Sequence, residues 1–146
     1  LIGDCSADRP SNLVPIITEV AIGKREKITV FGDDYNTPDG TCIRDYIHVV
    51  DLAKSHVKAM DFLIKNPGKH AFNVGTGIGV SVLDAIKAFE KTNNLSINYS
   101  IGPRRDGDIE QIYANGSLVQ VKLGWDAKES LEQAMKSAWD WEKGKA

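Results

Sequence analysis

Residues 31–53 read FGDDYNTPDGTCIRDYIHVVDLA, and this stretch predicts a strand, a polar loop and a helix in succession. A short apolar strand ends in Gly-Asp-Asp, and a Pro-Asp-Gly turn follows it. Arg44 and Asp45 then precede an apolar-polar-apolar run that leads into a helix capped by Asp51. Because the polar loop lies between two ordered elements and ends on a guanidinium, it indicates an anion-binding site.

The composition is that of a globular domain. The chain has 146 residues, enough for one domain with a sizeable core, and its 42% hydrophobic and 26% charged residues are typical values. A net charge of −2 favours neither nucleic acid nor an anionic membrane as a partner, and no apolar run is long enough to span a bilayer. Cys5 and Cys42 have no partner at disulfide or zinc-site spacing, which predicts structural thiols and a cytoplasmic protein.

Helical and strand patterns alternate along the chain, which predicts an α/β fold. Strands are predicted at 28–31, 44–50, 71–74 and 95–101, and helices after Asn12, from Asp51, after Ser81, after Asn115 and after Ser130. Two of these helices begin with capping boxes, Ser81 with Asp84 and Ser130 with Gln133. The second helix is predicted to bury Leu52, His56, Ala59, Met60 and Leu63. The first ten residues show neither pattern, which predicts a segment of a longer protein.

A glycine-rich turn at 72–79, FNVGTGIG, is similar to a dinucleotide-binding fingerprint without matching it. The fingerprint needs a third glycine at position 80, where Val80 stands, and an acidic residue about twenty residues further on is missing. The turn therefore predicts a tight connection between a strand and a helix. It predicts no dinucleotide site in this chain.

The sequence also lacks a pair of side chains suited to proton transfer. A Tyr-x-x-x-Lys pair would place a phenol and an ammonium on one helix face, but Asp39, Val50, Pro103 and Ser117 stand four residues after the four tyrosines. His48 lies in an apolar run and is predicted to be a hydrogen-bonded core histidine. No catalytic residue and no metal ligand is predicted in this chain.

Two loops carry the side chains that would bind an anion. Arg44 ends the first loop, and the second offers Arg104 and Arg105 together with Asp106 and Asp108. Arginine forks suit phosphate and carboxylates suit ribose hydroxyls, so this combination fits a nucleotide diphosphate.

A purely structural interpretation remains open for each loop. Arg44 would serve equally well as an ion-pair partner of Asp45 or Asp51. Residues 104–108, taken alone, would form an ordinary surface loop of salt bridges.

These motifs together resemble the extended short-chain dehydrogenase/reductases, and within that family the members that epimerise UDP-hexoses. The matching stretches are 11–15 (SNLVP), 30–35 (VFGDDY), 37–41 (TPDGT), 44–53 (RDYIHVVDLA), 73–77 (NVGTG) and the Arg104 to Asp108 loop. The likeness covers nearly the whole chain from Asn12 onward.

The resemblance implies that residues 1–146 are the C-terminal, UDP-sugar-binding part of such an enzyme. The family binds NAD in an N-terminal domain, most of whose Rossmann fold is absent from this chain. The implied substrate-binding residues are Asn12 and Leu13 for the diphosphate, Thr29, Val30 and Phe31 for uracil, Arg44 and Arg105 for the phosphates, Asp108 for the ribose and Ile112 beside the sugar.

The activity that the resemblance implies is interconversion of UDP-glucose and UDP-galactose by inversion at C4 through a 4-keto intermediate. This chain would anchor UDP, NAD would carry the hydride, and the chain alone would be inactive. The resemblance allows a homodimer of the full-length enzyme, but the sequence leaves the oligomeric state open. A non-catalytic nucleotide-sugar binding module is one alternative. A dehydratase or decarboxylase that acts on another nucleotide sugar is a second.

Overall fold

The structure, a computed structural model, describes residues 10–145, in which helices and strands alternate as predicted for an α/β fold. The elements are α1 (Leu13–Ala21), β1 (Ile28–Phe31), β2 (Ile43–Arg44), α2 (Val49–Lys65), β3 (Val80–Ser81), α3 (Val82–Asn93), β4 (Tyr99–Gly102), α4 (Ser117–Leu123) and α5 (Leu131–Lys143). Cys5, predicted to be a structural thiol, lies outside the described residues, whereas Cys42 is a buried free thiol.

Two small strand pairs frame the fold. β1 and β4 are parallel, with Ile28 opposite Tyr99 and Phe31 opposite Gly102. A parallel pair requires a long crossover, which α2 and α3 supply here. β2 and β3 are antiparallel and only two residues long each.

The hydrophobic core lies where α1, α3 and α5 pack against β1. Its fully buried side chains include Ile17 of α1, Val30 of β1, Phe89 of α3 and Met135 of α5. Trp139 of α5 packs against this core, and its ring meets Phe89 edge-on at 6.1 Å between centroids. The three helices therefore bury one shared apolar surface against β1.

The predicted helix caps are largely present. Ser130 and Gln133 form a complete capping box, in which the Ser130 side chain accepts from the Gln133 amide and the Gln133 side chain accepts from the Ser130 amide. Ser81 caps α3 by accepting from the Asp84 amide at 3.0 Å, but within residues 10–145 no return bond from the Asp84 side chain completes the predicted box. These caps satisfy amides that a helix N-terminus otherwise leaves unpaired.

The start of α2 was predicted wrongly. The helix begins at Val49 and His48 is its N-cap, with the imidazole Nδ1 accepting from the Val50 amide at 3.1 Å. The predicted strand 44–50 is reduced to β2, because the partner strand β3 pairs only with Ile43 and Arg44. Asp51 instead lies in the first turn of the helix, buried, where it accepts from the amides of Lys128 and Glu129 at 2.7 Å each.

The other boundary errors concern short extended segments. Residues 71–74 form no strand in the described structure, and the last predicted strand is confined to β4. Gly116, one residue later than the predicted Asn115, is the N-cap of α4, although the Asn115 side chain still accepts from the Ser117 amide at 3.1 Å.

α2 leaves an apolar stripe uncovered. The predicted buried face is only partly buried, since His56, Met60 and Leu63 are exposed. Val57, Met60 and Ile64 follow one another at helical spacing and are 59%, 65% and 77% exposed. Among the helices of residues 10–145, none has the length and apolarity needed to cross a membrane.

Candidate functional site

A cleft of about 420 Å³ opens between the N-terminus of α1, β1 and the loops that carry Arg44 and Arg105. This volume is in the range of small-molecule sites. Eight of the nine predicted substrate-binding residues line it: Asn12, Leu13, Thr29, Val30, Phe31, Arg44, Arg105 and Asp108. The fold thus brings together residues that lie up to 96 positions apart in the sequence, from Asn12 to Asp108.

The free edge of β1 forms one wall of the cleft. The amides of Ile28 and Gly32 donate to Asn98 and Gly102 on the β4 side, both at 2.9 Å. Because alternate residues of a strand direct their backbone groups to opposite edges, those of Thr29 and Phe31 face away from β4. An edge of this kind offers a planar ligand both a donor and an acceptor.

The first turn of α1 forms the adjoining wall. Residues 11–16 line the cleft, and Asn12 is the N-cap of the helix in an extended conformation. In the described part of the chain, the Asn12 side chain makes no capping bond to α1, so the helix does not use it. The unpaired amides and positive end of a helix N-terminus favour an anion at this point.

Arg44 is fixed at the cleft by its own backbone contacts. Its Nη1 donates to the carbonyls of Ile43 at 2.8 Å and Ile109 at 2.7 Å, and its Nη2 lies 3.6 Å from the Asp108 carboxylate. The pairing with Asp45 or Asp51 that the sequence left open does not occur. A guanidinium held in this way keeps its orientation when an anion approaches.

Arg105 supplies the second positive charge. Its Nη2 donates to Asp108 at 2.8 Å, and its guanidinium lies 5.4 Å from the ring centre of Phe31. The bond to Asp108 raises the pKa of Arg105 above its usual value. Asp108 therefore stands between Arg44 and Arg105, so that two guanidiniums share one carboxylate and the cluster keeps a net positive charge.

Arg104, by contrast, does not line the cleft. Its Nε donates to Asp34 at 2.7 Å, and its guanidinium stacks 4.1 Å from the ring centre of Tyr35. The hydrogen bond from Arg104 lowers the pKa of the Asp34 carboxyl. The interpretation of 104–108 as two phosphate-binding forks is thus reduced to one, because Arg104 is bound to Asp34 and Tyr35 while Arg105 reaches the cleft.

Asp45 has a role that the sequence interpretation missed. Its Oδ1 accepts from the amide and hydroxyl of Thr76 at 2.9 and 2.6 Å, and its Oδ2 accepts from the amides of Gly77 and Ala114 at 3.0 and 3.1 Å. Burial favours the neutral form, but these bonds outweigh it and lower the pKa of Asp45. The glycine turn therefore wraps around a carboxylate of its own chain.

Gly75 shows why this turn needs glycine. A Cβ at that position would overlap both the Asp45 carboxylate and the Ala114 side chain. The motif that is similar to a dinucleotide fingerprint thus serves close packing within the chain. The signal in the sequence that could have indicated this packing is Asp45, an aspartate in an apolar stretch without an assigned partner.

Ile112 is the predicted site residue that the cleft does not include. It lies on the segment that follows Asp108, its amide donates to the Ile43 carbonyl at 3.1 Å, and its side chain is 52% exposed. Its backbone is therefore tied to β2, next to Arg44, and its side chain is free to meet the part of a ligand that extends beyond the cleft.

Two further candidate groups for proton transfer are His48 and Tyr46. Nε2 of His48 lies 3.0 Å from the Ser137 hydroxyl, so both ring nitrogens are hydrogen-bonded as predicted, but His48 is a half-buried helix cap and not a core residue. Burial raises the pKa of Tyr46 to about 12, which keeps this phenol neutral. Residues 10–145 contain no cluster of three or more histidine, cysteine, aspartate or glutamate side chains that could hold a metal ion.

Comparison with known proteins gives concordant matches. A family model described as GDP-mannose 4,6 dehydratase matches residues 7–138. The UDP-glucose 4-epimerase of Haemophilus influenzae is 51% identical over 143 residues, which are 98% of this chain and 42% of that protein. The chain thus spans less than half the length of the curated relatives it matches.

Solved structures match over the same part of the chain. The UDP-glucose 4-epimerase of Stenotrophomonas maltophila, with bound NAD and formylated UDP-arabinopyranose, is 45% identical with a TM-score of 0.96, and the match covers 99% of this chain and 43% of that one. The epimerase of Bifidobacterium longum, in complex with NAD+ and UDP, is 45% identical with a TM-score of 0.85, over 94% of this chain and 41% of that one.

Proposed function

This chain belongs to the GDP-mannose 4,6 dehydratase family, and we propose on that premise that it is the substrate-binding part of an enzyme that interconverts UDP-glucose and UDP-galactose. Within this family, the relatives at about half identity are UDP-glucose 4-epimerases. The proposal extends their activity to the whole protein and places this chain in the extended short-chain dehydrogenase/reductases.

The observation that carries the proposal is the convergence of eight predicted residues on one cleft. Arg44 and Arg105 supply fixed positive charges beside the N-terminus of α1, which suits a diphosphate. The free backbone edge at Thr29 and Phe31 suits a planar base that has its own donors and acceptors. Asp108, already between the arginines, suits ribose hydroxyls. The cleft thus has a separate position for each part of UDP.

In this proposal the chain contributes binding that is the same in the ground state and the transition state. The arginines hold the diphosphate while the hexose beyond it stays free to turn. Such uniform binding lowers KM and leaves the chemical step to other groups. A Tyr-x-x-x-Lys pair, absent from this sequence, would belong to the part of the enzyme outside this chain.

NAD enters the proposal as the cofactor of the whole enzyme. The residues of this chain do not fit it, because the amides of Thr76 and Gly77 in the glycine turn already donate to Asp45. These amides are therefore not available for a pyrophosphate, and the segment before the turn, residues 71–74, does not form the strand that the fingerprint requires. We therefore assign NAD to an N-terminal domain.

The domain assignment has support of its own. Residues 1–146 would form the UDP-sugar-binding domain, and the exposed apolar stripe of α2 would pack against the NAD-binding domain. Val57, Met60 and Ile64 form an apolar surface of a kind that complete globular proteins rarely expose to solvent. The predicted strand 71–74 lies beside this helix in sequence and would be completed by the same neighbour.

Calorimetric titration tests the proposal on the full-length protein and on this chain. We expect UDP-glucose to bind the full-length protein and, if the isolated chain is folded by circular dichroism, to bind the chain as well. NAD is expected to bind only the full-length protein. Binding of NAD by the isolated chain would contradict the domain assignment, and failure of UDP-glucose to bind the full-length protein would contradict the function.

The two alternatives make different predictions for the same protein. A non-catalytic binding module would bind UDP-glucose without forming UDP-galactose. A dehydratase or decarboxylase would consume the UDP-sugar and release water or carbon dioxide. Chromatographic analysis of the product therefore separates the three functions. Cytoplasmic location, a role in galactose metabolism and a homodimer accompany the epimerase proposal as predictions.

Ile112 carries a prediction on sugar size. An aliphatic side chain beside the sugar would leave room for an N-acetyl group, so Ile112→Tyr is expected to lower kcat/KM for UDP-N-acetylhexosamines about tenfold or more. Turnover of UDP-glucose should change much less. Steady-state assays with both substrates measure this.

The matched control for this prediction is Val121→Tyr. Val121 is 79% exposed on α4 and lies outside the cleft, so the same substitution there should leave both activities unchanged. Unchanged turnover of the N-acetylated substrate by Ile112→Tyr would refute the role of Ile112.

A further inference from the structure

The segment 108–114 carries Asp108 into the cleft, and β2 holds it along its length. The Ile43 amide donates to the Glu110 carbonyl at 2.9 Å, and the Ile112 amide donates back to Ile43 at 3.1 Å. Arg44 binds the Ile109 carbonyl. The position of Asp108 therefore depends on how this segment is fastened to residues 43–45.

Asp45 fastens the far end of the same segment. It accepts from the Ala114 amide through one carboxylate oxygen and joins that end to the glycine turn through Thr76 and Gly77. Two donors meet each oxygen, which nearly exhausts the acceptor capacity of a carboxylate. Asp45 does not line the cleft, although it is adjacent to Arg44 in the chain.

We propose that Asp45 is a positioning residue for nucleotide binding, which locks the segment 108–114 and the glycine turn 75–77 against Arg44 so that Asp108 can hold Arg44 and Arg105 in one cluster. The inference rests on the proposed function, because it deepens the role of the UDP-binding cleft. In this inference the glycine turn supports substrate binding indirectly, through Asp45, and does not bind a dinucleotide.

The arrangement requires a carboxylate for a geometric reason. An asparagine at position 45 has one acceptor oxygen and one amino group. If the amino group faced Gly77 and Ala114, both amides would lose their acceptor; if it faced Thr76, the Thr76 amide would lose its acceptor while the hydroxyl could turn to accept. Release of one or two backbone amides would loosen the joint between the two loops.

The test compares UDP affinity in the full-length protein and its Asp45→Asn variant by calorimetry. We expect the Kd for UDP to rise about tenfold or more, with KM for UDP-glucose rising in parallel and kcat changing less. Asp126→Asn is the control, because this aspartate is exposed and pairs only locally with Lys128. Its UDP affinity should equal that of the unmodified protein.

A double-mutant cycle with Arg105→Ala separates positioning from a general structural role. If Asp45 acts through the cluster, Asp45→Asn should weaken UDP binding less than about threefold once Arg105 is already alanine. Equal losses in both backgrounds, or a Kd for Asp45→Asn within twofold of the unmodified protein, would overturn the inference. Failure of the unmodified protein to bind UDP would instead refute the proposed function.

Thr76→Val keeps the inference testable if Asp45→Asn does not fold. It removes the hydroxyl that donates to Asp45 and accepts from the Ile78 amide, and it leaves the three backbone amides that bind Asp45. We expect a smaller rise in Kd, of a few fold, that likewise disappears in the Arg105→Ala background. A rise of the same size in both backgrounds, or no rise at all, would overturn the role of Asp45.

Discussion

Replacing Arg105 with alanine in the full-length protein is expected to raise the KM for UDP-glucose about 10- to 150-fold and to change kcat little. A charge-assisted hydrogen bond contributes about 1.5–3 kcal/mol, and about 1.4 kcal/mol is a factor of ten. Arg105 reaches the cleft from an exposed loop, with Asp108 as its ion-pair partner, so its removal should cost binding more than folding. Steady-state kinetics with UDP-glucose, together with the Kd for UDP, measure both effects.

Arg104→Ala is the matched control, because it makes the same change one residue earlier in the same loop. Arg104 is bound to Asp34 and stacked on Tyr35, outside the cleft. Its removal should change KM by less than about threefold, the scale of an exposed ion pair. Similar KM increases for the two variants would mean that the loop acts only through its general charge. An unchanged KM for Arg105→Ala would refute the phosphate assignment.

The contrast between these two arginines shows where prediction from sequence ends. Their residue types indicated phosphate binding equally well. In the structure, however, Arg105 lies against Phe31 and Arg104 lies against Tyr35. That choice depends on the tertiary position of residues 31–35, which no local pattern contains.

Helix N-caps, by contrast, can be predicted from the local sequence. Ser81 and Ser130 cap their helices as predicted, because a cap is formed by residues within one turn of each other. The start of α2 was not readable, since His48 is an uncommon cap and Asp51 was the more typical candidate. Asp51 does not cap the helix because its carboxylate binds the Lys128 amide, which lies 77 residues away in the sequence.

Asp51→Ala is expected to lower the free energy of unfolding of this domain by about 3 kcal/mol. The Asp51 carboxylate is 1% exposed and accepts from the amides of Lys128 and Glu129. Alanine would remove two hydrogen bonds to a charged group, each of which contributes about 1.5–3 kcal/mol, and water would replace part of this because Lys128 is exposed. Because these amides immediately precede Ser130, the loss would also loosen the start of α5 against α2. Denaturant unfolding of the full-length protein, followed by tryptophan fluorescence, measures the change.

The pH dependence distinguishes this mechanism from simple loss of packing. Burial opposes ionisation of Asp51, but the amides of Glu129 and Lys128 outweigh it and lower its pKa in the folded protein. The unfolded value is about 3.9, so the stabilisation is complete above that pH and is lost as pH falls through the lower folded value. The difference between the unmodified protein and Asp51→Ala should therefore shrink on acidification. Asp126→Asn, at an exposed aspartate of the same connection, should change stability by less than about 0.5 kcal/mol at any pH. A stability difference for Asp51→Ala that stays constant down to pH 3 would show that the carboxylate charge is not what stabilises this joint.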